Sequence, residues 1–87
     1  MNIDNSGWFS LWSFAHDGKA GIVPAHTMQV KNVGSEDAYI AATPSGPARF
    51  TLEPGESFAF FVPAGDDLYA QSVTSGGTSL QAVASVH

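Results

Sequence analysis

The sequence predicts a small all-β domain, an antiparallel β-sandwich or jelly-roll-like barrel of about seven to eight strands. Turn signals rich in glycine, proline, asparagine and aspartate recur about every eight to twelve residues. Apolar residues between them alternate with the period of two that a half-buried strand requires. No window joins helix caps to a 3.6-residue period, and there is no internal repeat or low-complexity linker. The 87 residues form one domain spanning 1–87, with a short N-terminal arm over residues 1–6.

The stretch from Phe50 to Ala70 is the expected centre of the domain. Phe50 and Leu52 alternate with polar neighbours, and Pro54-Gly55 then makes a tight turn. Proline presets φ at the second turn position and glycine accepts positive φ at the third. Ser57 to Val62 is a strand with Phe58, Phe60 and Val62 on one face and Phe61 on the other. Pro63 to Asp67 turns again, and Leu68-Tyr69-Ala70 opens the next strand. This phenylalanine-rich meander is expected to form the core.

The other elements follow in chain order. Asn2 to Gly7 is polar and reads as a mobile lead-in. Gly7 to Ala15 is packed with Trp8, Phe9, Leu11, Trp12 and Phe14. A helix would gather Trp8, Leu11, Trp12 and Ala15, but aromatic and serine enrichment favours a strand. Asp17-Gly18 signals a hairpin, and Ile22 to Ala25 is a short extended piece that Pro24 restricts to an edge or strand end. His26 to Val33 and Ala38 to Thr43 are strands joined by the Asn32 to Asp37 connection, and Pro44 to Pro47 is a loop. After Ser75-Gly76-Gly77 the chain closes with a strand from Thr78 to Val86, whose Leu80, Ala82, Ala84 and Val86 share one face. Small residues there allow another sheet to approach closely.

Composition restricts the partners. Three basic residues against eight acidic ones give a net charge of −5. No basic patch can form, which argues against nucleic acid and anionic membranes as partners. The N-terminal stretch lacks a basic n-region and is broken by serines, so it is not read as a secretory signal. Apolar runs fall short of a membrane span. Synthesis in the cytoplasm is expected. Cysteine is absent, which excludes disulfides and thiolate metal sites.

Hydrophobic residues make up 44% of the chain and charged residues 13%, against an average of about 25% charged in soluble domains. A chain this size buries only about 60–65% of its unfolded surface, so a well-filled core or an oligomer must support it. Exposed sheet edges need protection, and scarce lysine and glutamate mean that charge does not supply it here. Pairing in an oligomer would.

No motif carries chemistry. His16, His26 and His87 show no metal-ligand spacing and read as surface or capping residues. The superficially cupin-like LEPGESFAFFVPAGD stretch lacks the histidine pair that a cupin metal site needs. Glu53, Glu56, Asp66 and Asp67 read as solvated turn residues, and no calcium-loop, G-x-S-x-G, GxGxxG or P-loop pattern occurs. No cofactor, no metal and no catalytic residue is therefore expected. Five large apolar residues within seven positions exceed what one face of so small a core needs. Trp8, Phe9, Leu11 and Trp12 are accordingly the candidate protein-interface residues, because tryptophan and phenylalanine anchor interfaces; the bland alternative is a strand buried on both faces.

From Val30 to Val83, about two thirds of the chain, a further pattern is present. It comprises Asn32-Val33-Gly34, Ala38-Tyr39-Ile40, the L-x-P-G-E-S-F of Leu52 to Phe58, the D-L-Y-A-Q-S of Asp67 to Ser72, a Gly-Gly turn and a final L-x-A-V strand. This resembles the small β-sandwich virion proteins of tailed phages, including head decoration or cement proteins. The resemblance implies a non-enzymatic structural role on the capsid surface of the virion. It also implies a homotrimer or homodimer seated on the major capsid protein. The rival expectation is a carbohydrate-binding or host-recognition module of a tail or fibre, with Trp8, Trp12, Tyr39 and Tyr69 as an exposed stacking platform.

Overall fold

Alternation along each strand builds a two-layer sandwich. The computed structural model describes residues 1–15, 23–43, 48 and 50–86. The elements are β1 (Asn2–Ile3), β2 (Phe9–Ser10), α1 (Leu11–Ala15), β3 (His26–Asn32), β4 (Ala38–Ala41), β5 (Phe50–Leu52), β6 (Ser57–Val62), β7 (Tyr69–Ser72) and β8 (Thr78–Val86). One antiparallel sheet has the order β1-β8-β3-β6 and the other β2-β7-β4-β5. His26, Met28, Val30 and Asn32 point inward from β3, while Gln29 and Lys31 point out. Register places Ala82 and Ala84 of β8 beside Val30 and Met28. Met28, Val30, Ile40, Leu52 and Leu80 are almost wholly buried where the two layers meet. Burial of each such side chain contributes about 1.5–3 kcal/mol. The all-β sandwich expected from the sequence is the observed fold.

The turns take the conformations that their residues dictate. Gly55 has φ 86°, and the Glu56 amide donates to the Glu53 carbonyl at 3.0 Å. Proline before a positive-φ glycine is the type II arrangement. The Pro63 to Asp66 turn also has a positive-φ glycine at its third position, Gly65 at φ 86°, but Ala64 precedes it; the Asp66 amide donates to the Pro63 carbonyl at 3.1 Å. At Gly77 (φ 80°) an added Cβ would lie 2.3 Å from the Ile3 carbonyl oxygen, so this turn requires glycine twice over. Asn32 is a buried hub. Its Nδ2 donates to the carbonyls of Glu36 and Leu52 at 2.7 and 2.8 Å, and its Oδ1 accepts from the Gly34 amide and the Thr78 hydroxyl at 3.0 and 2.9 Å. One side chain thus links the β3–β4 connection to both sheets.

Three expectations need correction. The N-terminal arm is a sheet strand, not a mobile lead-in: Asn2–Ile3 pairs with Thr78–Ser79, and Ile3 is buried. The expected strand over Gly7 to Ala15 keeps only Phe9–Ser10 in the sheet and then turns into α1. Ser10 caps that turn, its hydroxyl accepting from the Ser13 amide at 3.1 Å and donating to Asp67 Oδ2. Asp67 Oδ1 also accepts the Trp12 amide at 3.2 Å. These bonds satisfy amides that a helix start leaves open. Finally, the phenylalanine meander is not the core: Phe50, Phe58 and Phe61 are 50%, 44% and 66% exposed. The expected hairpin at Asp17-Gly18, the loop from Pro44 to Pro47, and His16, Ile22 and His87 lie outside the described residues. No helix among the described residues is long and apolar enough to cross a membrane.

Candidate functional site

Most of the N-terminal aromatic residues pack within their own chain, whereas Phe14 is 38% exposed. Leu11 is fully buried in the core, Trp12 is 9% exposed, and Trp8 and Phe9 are half-buried, Phe9 against the core. The structure does not gather Trp8, Phe9, Leu11 and Trp12 into an exposed patch. The helical turn is the reason, because it swings Leu11 and Trp12 onto the same inward side. Trp12 meets the ring of His26, with centroids 4.5 Å apart and planes tilted by 43°. His26 is likewise not a surface residue: it is fully buried, because it opens β3 in the inward phase. Its Nδ1 donates to the Pro24 carbonyl at 2.8 Å, and Nε2 has no hydrogen-bond partner among the described residues.

The exposed apolar surface lies elsewhere. Among the described residues, β5 and β6 end their two sheets, and the Pro54-Gly55 turn joins them. Phe50 shares its face with Ile40, and Phe58 and Phe60 share theirs with Val30 and Met28, so all three rings point between the layers. Among the described residues, no further strand closes the sandwich at this side. Phe60 bridges the other two, with ring centroids 5.2 Å from Phe50 and 6.0 Å from Phe58. Period-two alternation assigned these faces correctly; that β6 ends its sheet is what exposes them.

The outer face of the β1-β8-β3-β6 sheet continues from this seam. It carries Phe61 and Val83, 66% and 59% exposed, among Thr27, Gln29, Ser57, Ala59, Gln81 and Ser85. Gln29, Lys31, Ser57, Ala59, Gln81 and Val83 surround a shallow hollow of about 370 Å³. Lys31 is the one charged side chain contributed by the four strands of this sheet. Sparse charge with exposed apolar side chains is the surface character of a protein interface.

The carboxylates serve their own turns. Glu56 Oε1 accepts the Glu53 amide at 2.7 Å, and Asp67 accepts the Leu68 amide at 2.7 Å besides holding α1. Burial, with a lesser contribution from the nearby Asp67 charge, raises the Tyr69 hydroxyl above its ordinary pKa. No group of three or more histidine, aspartate or glutamate side chains among the described residues could hold a metal ion. Tyr39 and Tyr69 are half-buried and Trp12 is covered by His26, so the four aromatic residues of the carbohydrate platform are not displayed as a flat surface. Comparison with protein-family models, with curated proteins and with solved structures found no match to this chain.

Proposed function

We propose that this chain is a non-enzymatic structural protein of a tailed-phage virion, a decoration or cement subunit that sits on the capsid surface and bridges copies of the major capsid protein. The observation that carries this reading is the outer face of the β1-β8-β3-β6 sheet, broad, almost uncharged and studded with Phe61 and Val83. Each apolar square ångström removed from water stabilises by about 25 cal/mol, less the cost of association. A subunit laid across a capsomer boundary adds contacts that must break before the shell opens. The resemblance of the Val30 to Val83 pattern to such proteins supplies the partner. The contact residues move accordingly from Trp8, Phe9, Leu11 and Trp12 to Phe61, Val83, Gln29 and Gln81.

Cosedimentation of the purified chain with undecorated heads of the phage that encodes it tests this directly. The chain is expected to pellet with the heads and to raise their temperature of disruption. Val83→Glu, which places a charge on the contact face, is expected to weaken binding at least about tenfold while leaving the fold intact. A chain that stays in the supernatant contradicts the reading. So does binding to host glycans that changes the tryptophan emission, which would favour the tail or fibre role.

A further inference from the structure

We propose that Lys31 is a carboxylate-binding point on the outer face of the β1-β8-β3-β6 sheet, where the docked protein inserts an aspartate or glutamate side chain beside an apolar one. The inference rests on the capsid reading, which makes this face the contact surface, and it specifies the chemistry of the surface contacted. β3 lies inside the sheet, with β8 on one side and β6 on the other. Register sets two rows of outward side chains across these strands. Ser57, Lys31 and Gln81 form one row, and Ala59, Gln29 and Val83 form the next. All six residues are exposed and line the shallow hollow of about 370 Å³. The first row is polar and cationic; the second offers the methyl groups of Ala59 and Val83 on either side of Gln29.

Charge decides what fits there. No ion pair to Lys31 is present among the described residues. Glu56, next to Ser57, turns its carboxylate to the Glu53 amide instead. A face that docks on protein takes the Lys31 ammonium out of water, which is strongly unfavourable unless an opposite charge meets it. Its place on an inner strand, away from the wet rim of the face, leaves little water to serve instead. The Ser57 hydroxyl and the Gln29 and Gln81 amides can donate to the same group, and a carboxylate accepts about four hydrogen bonds. Same-face residues along a strand are about 7 Å apart, so the fitting surface carries an apolar side chain about 7 Å from its carboxylate, over Ala59 and Val83. Alternate residues of an extended segment have that spacing. A polyanion is a poor fit, because Lys31 is the one charged side chain of this sheet and the chain carries −5 overall.

Carbodiimide coupling of the full chain to undecorated heads tests this. The reagent joins an amine to a carboxyl group in contact with it as an amide, and itself takes up the water as a urea. Peptide mass spectrometry is expected to find Lys31 joined to an aspartate or glutamate of the head protein. Coupling only through Lys19, the other lysine of the chain, would overturn the proposal. Binding of three variants to the same heads gives a second readout. Lys31→Met keeps the length of the side chain without its charge and should weaken binding about tenfold. Lys31→Glu should weaken it at least about a hundredfold, and Lys31→Arg should stay within about threefold of the unmodified chain. Circular dichroism should be unchanged in all three, because Lys31 is exposed. Lys31→Met or Lys31→Glu binding as tightly as the unmodified chain overturns the proposal and leaves the capsid reading standing. Failure of the unmodified chain itself to bind heads overturns both.

Discussion

The two aromatic clusters of this chain meet opposite fates. Trp8 to Phe14 is the denser, yet Leu11 and Trp12 are turned inward by a single helical turn and covered by His26 and the core. Phe50 to Phe61 lies on well-formed strands, yet three of its four phenylalanines are about half to two thirds exposed. Side-chain hydrophobicity does not separate them. Topology does: the first leaves β2 in a helical turn that packs on β8 of the other sheet, whereas the second lies on strands that end both sheets among the described residues. A phase-correct inward residue is buried only where the opposing layer extends over it.

Truncation on each side should break the symmetry of this comparison. Trp12→Ala removes a ring that is 9% exposed and is expected to cost about 3–5 kcal/mol of stability, measured by urea unfolding. Phe61→Ser removes a ring that is 66% exposed and should cost only about 1 kcal/mol. Equal losses would mean that the meander is core after all. Ser10→Ala sharpens the comparison from the other side: losing the cap of α1 should cost about 1 kcal/mol and loosen Trp12. A red shift of tryptophan emission would report that loosening; unchanged stability and emission would show that the Ser10–Asp67 contact does not hold the helix in place.

Much of the frame was legible in residues that act locally. Pro54-Gly55 and Gly77 determine their turns through their own backbone preferences, and the closing strand runs from Thr78 to Val86 as its alternation suggests. Asn32-Val33-Gly34 was readable as a turn because the asparagine side chain accepts from the Gly34 amide two residues on. Its bonds to Leu52 and Thr78 join strands far apart in sequence and left no local trace. α1 was hidden for the same reason, since the carboxylate that holds its start is Asp67, 57 residues from Ser10. The N-terminal strand was hidden because Asn2–Ile3 is too short to show a period. The exposure of Phe50, Phe58 and Phe61 was not legible because alternation reports which face a residue takes, not where its strand sits in the sheet. Small residues at Ala82 and Ala84 were the available signal for the layering.

Backbone hydrogen exchange tests the central claim most directly. The claim is that the tryptophan segment holds the fold together while the phenylalanine-rich strands carry exposed rings. The Leu11 amide, which donates to the Leu68 carbonyl, should exchange about as slowly as those of Met28 and Val30 in β3. Fast exchange at Leu11 and Trp12 beside a protected β3 would contradict it and show that this segment is not part of the core.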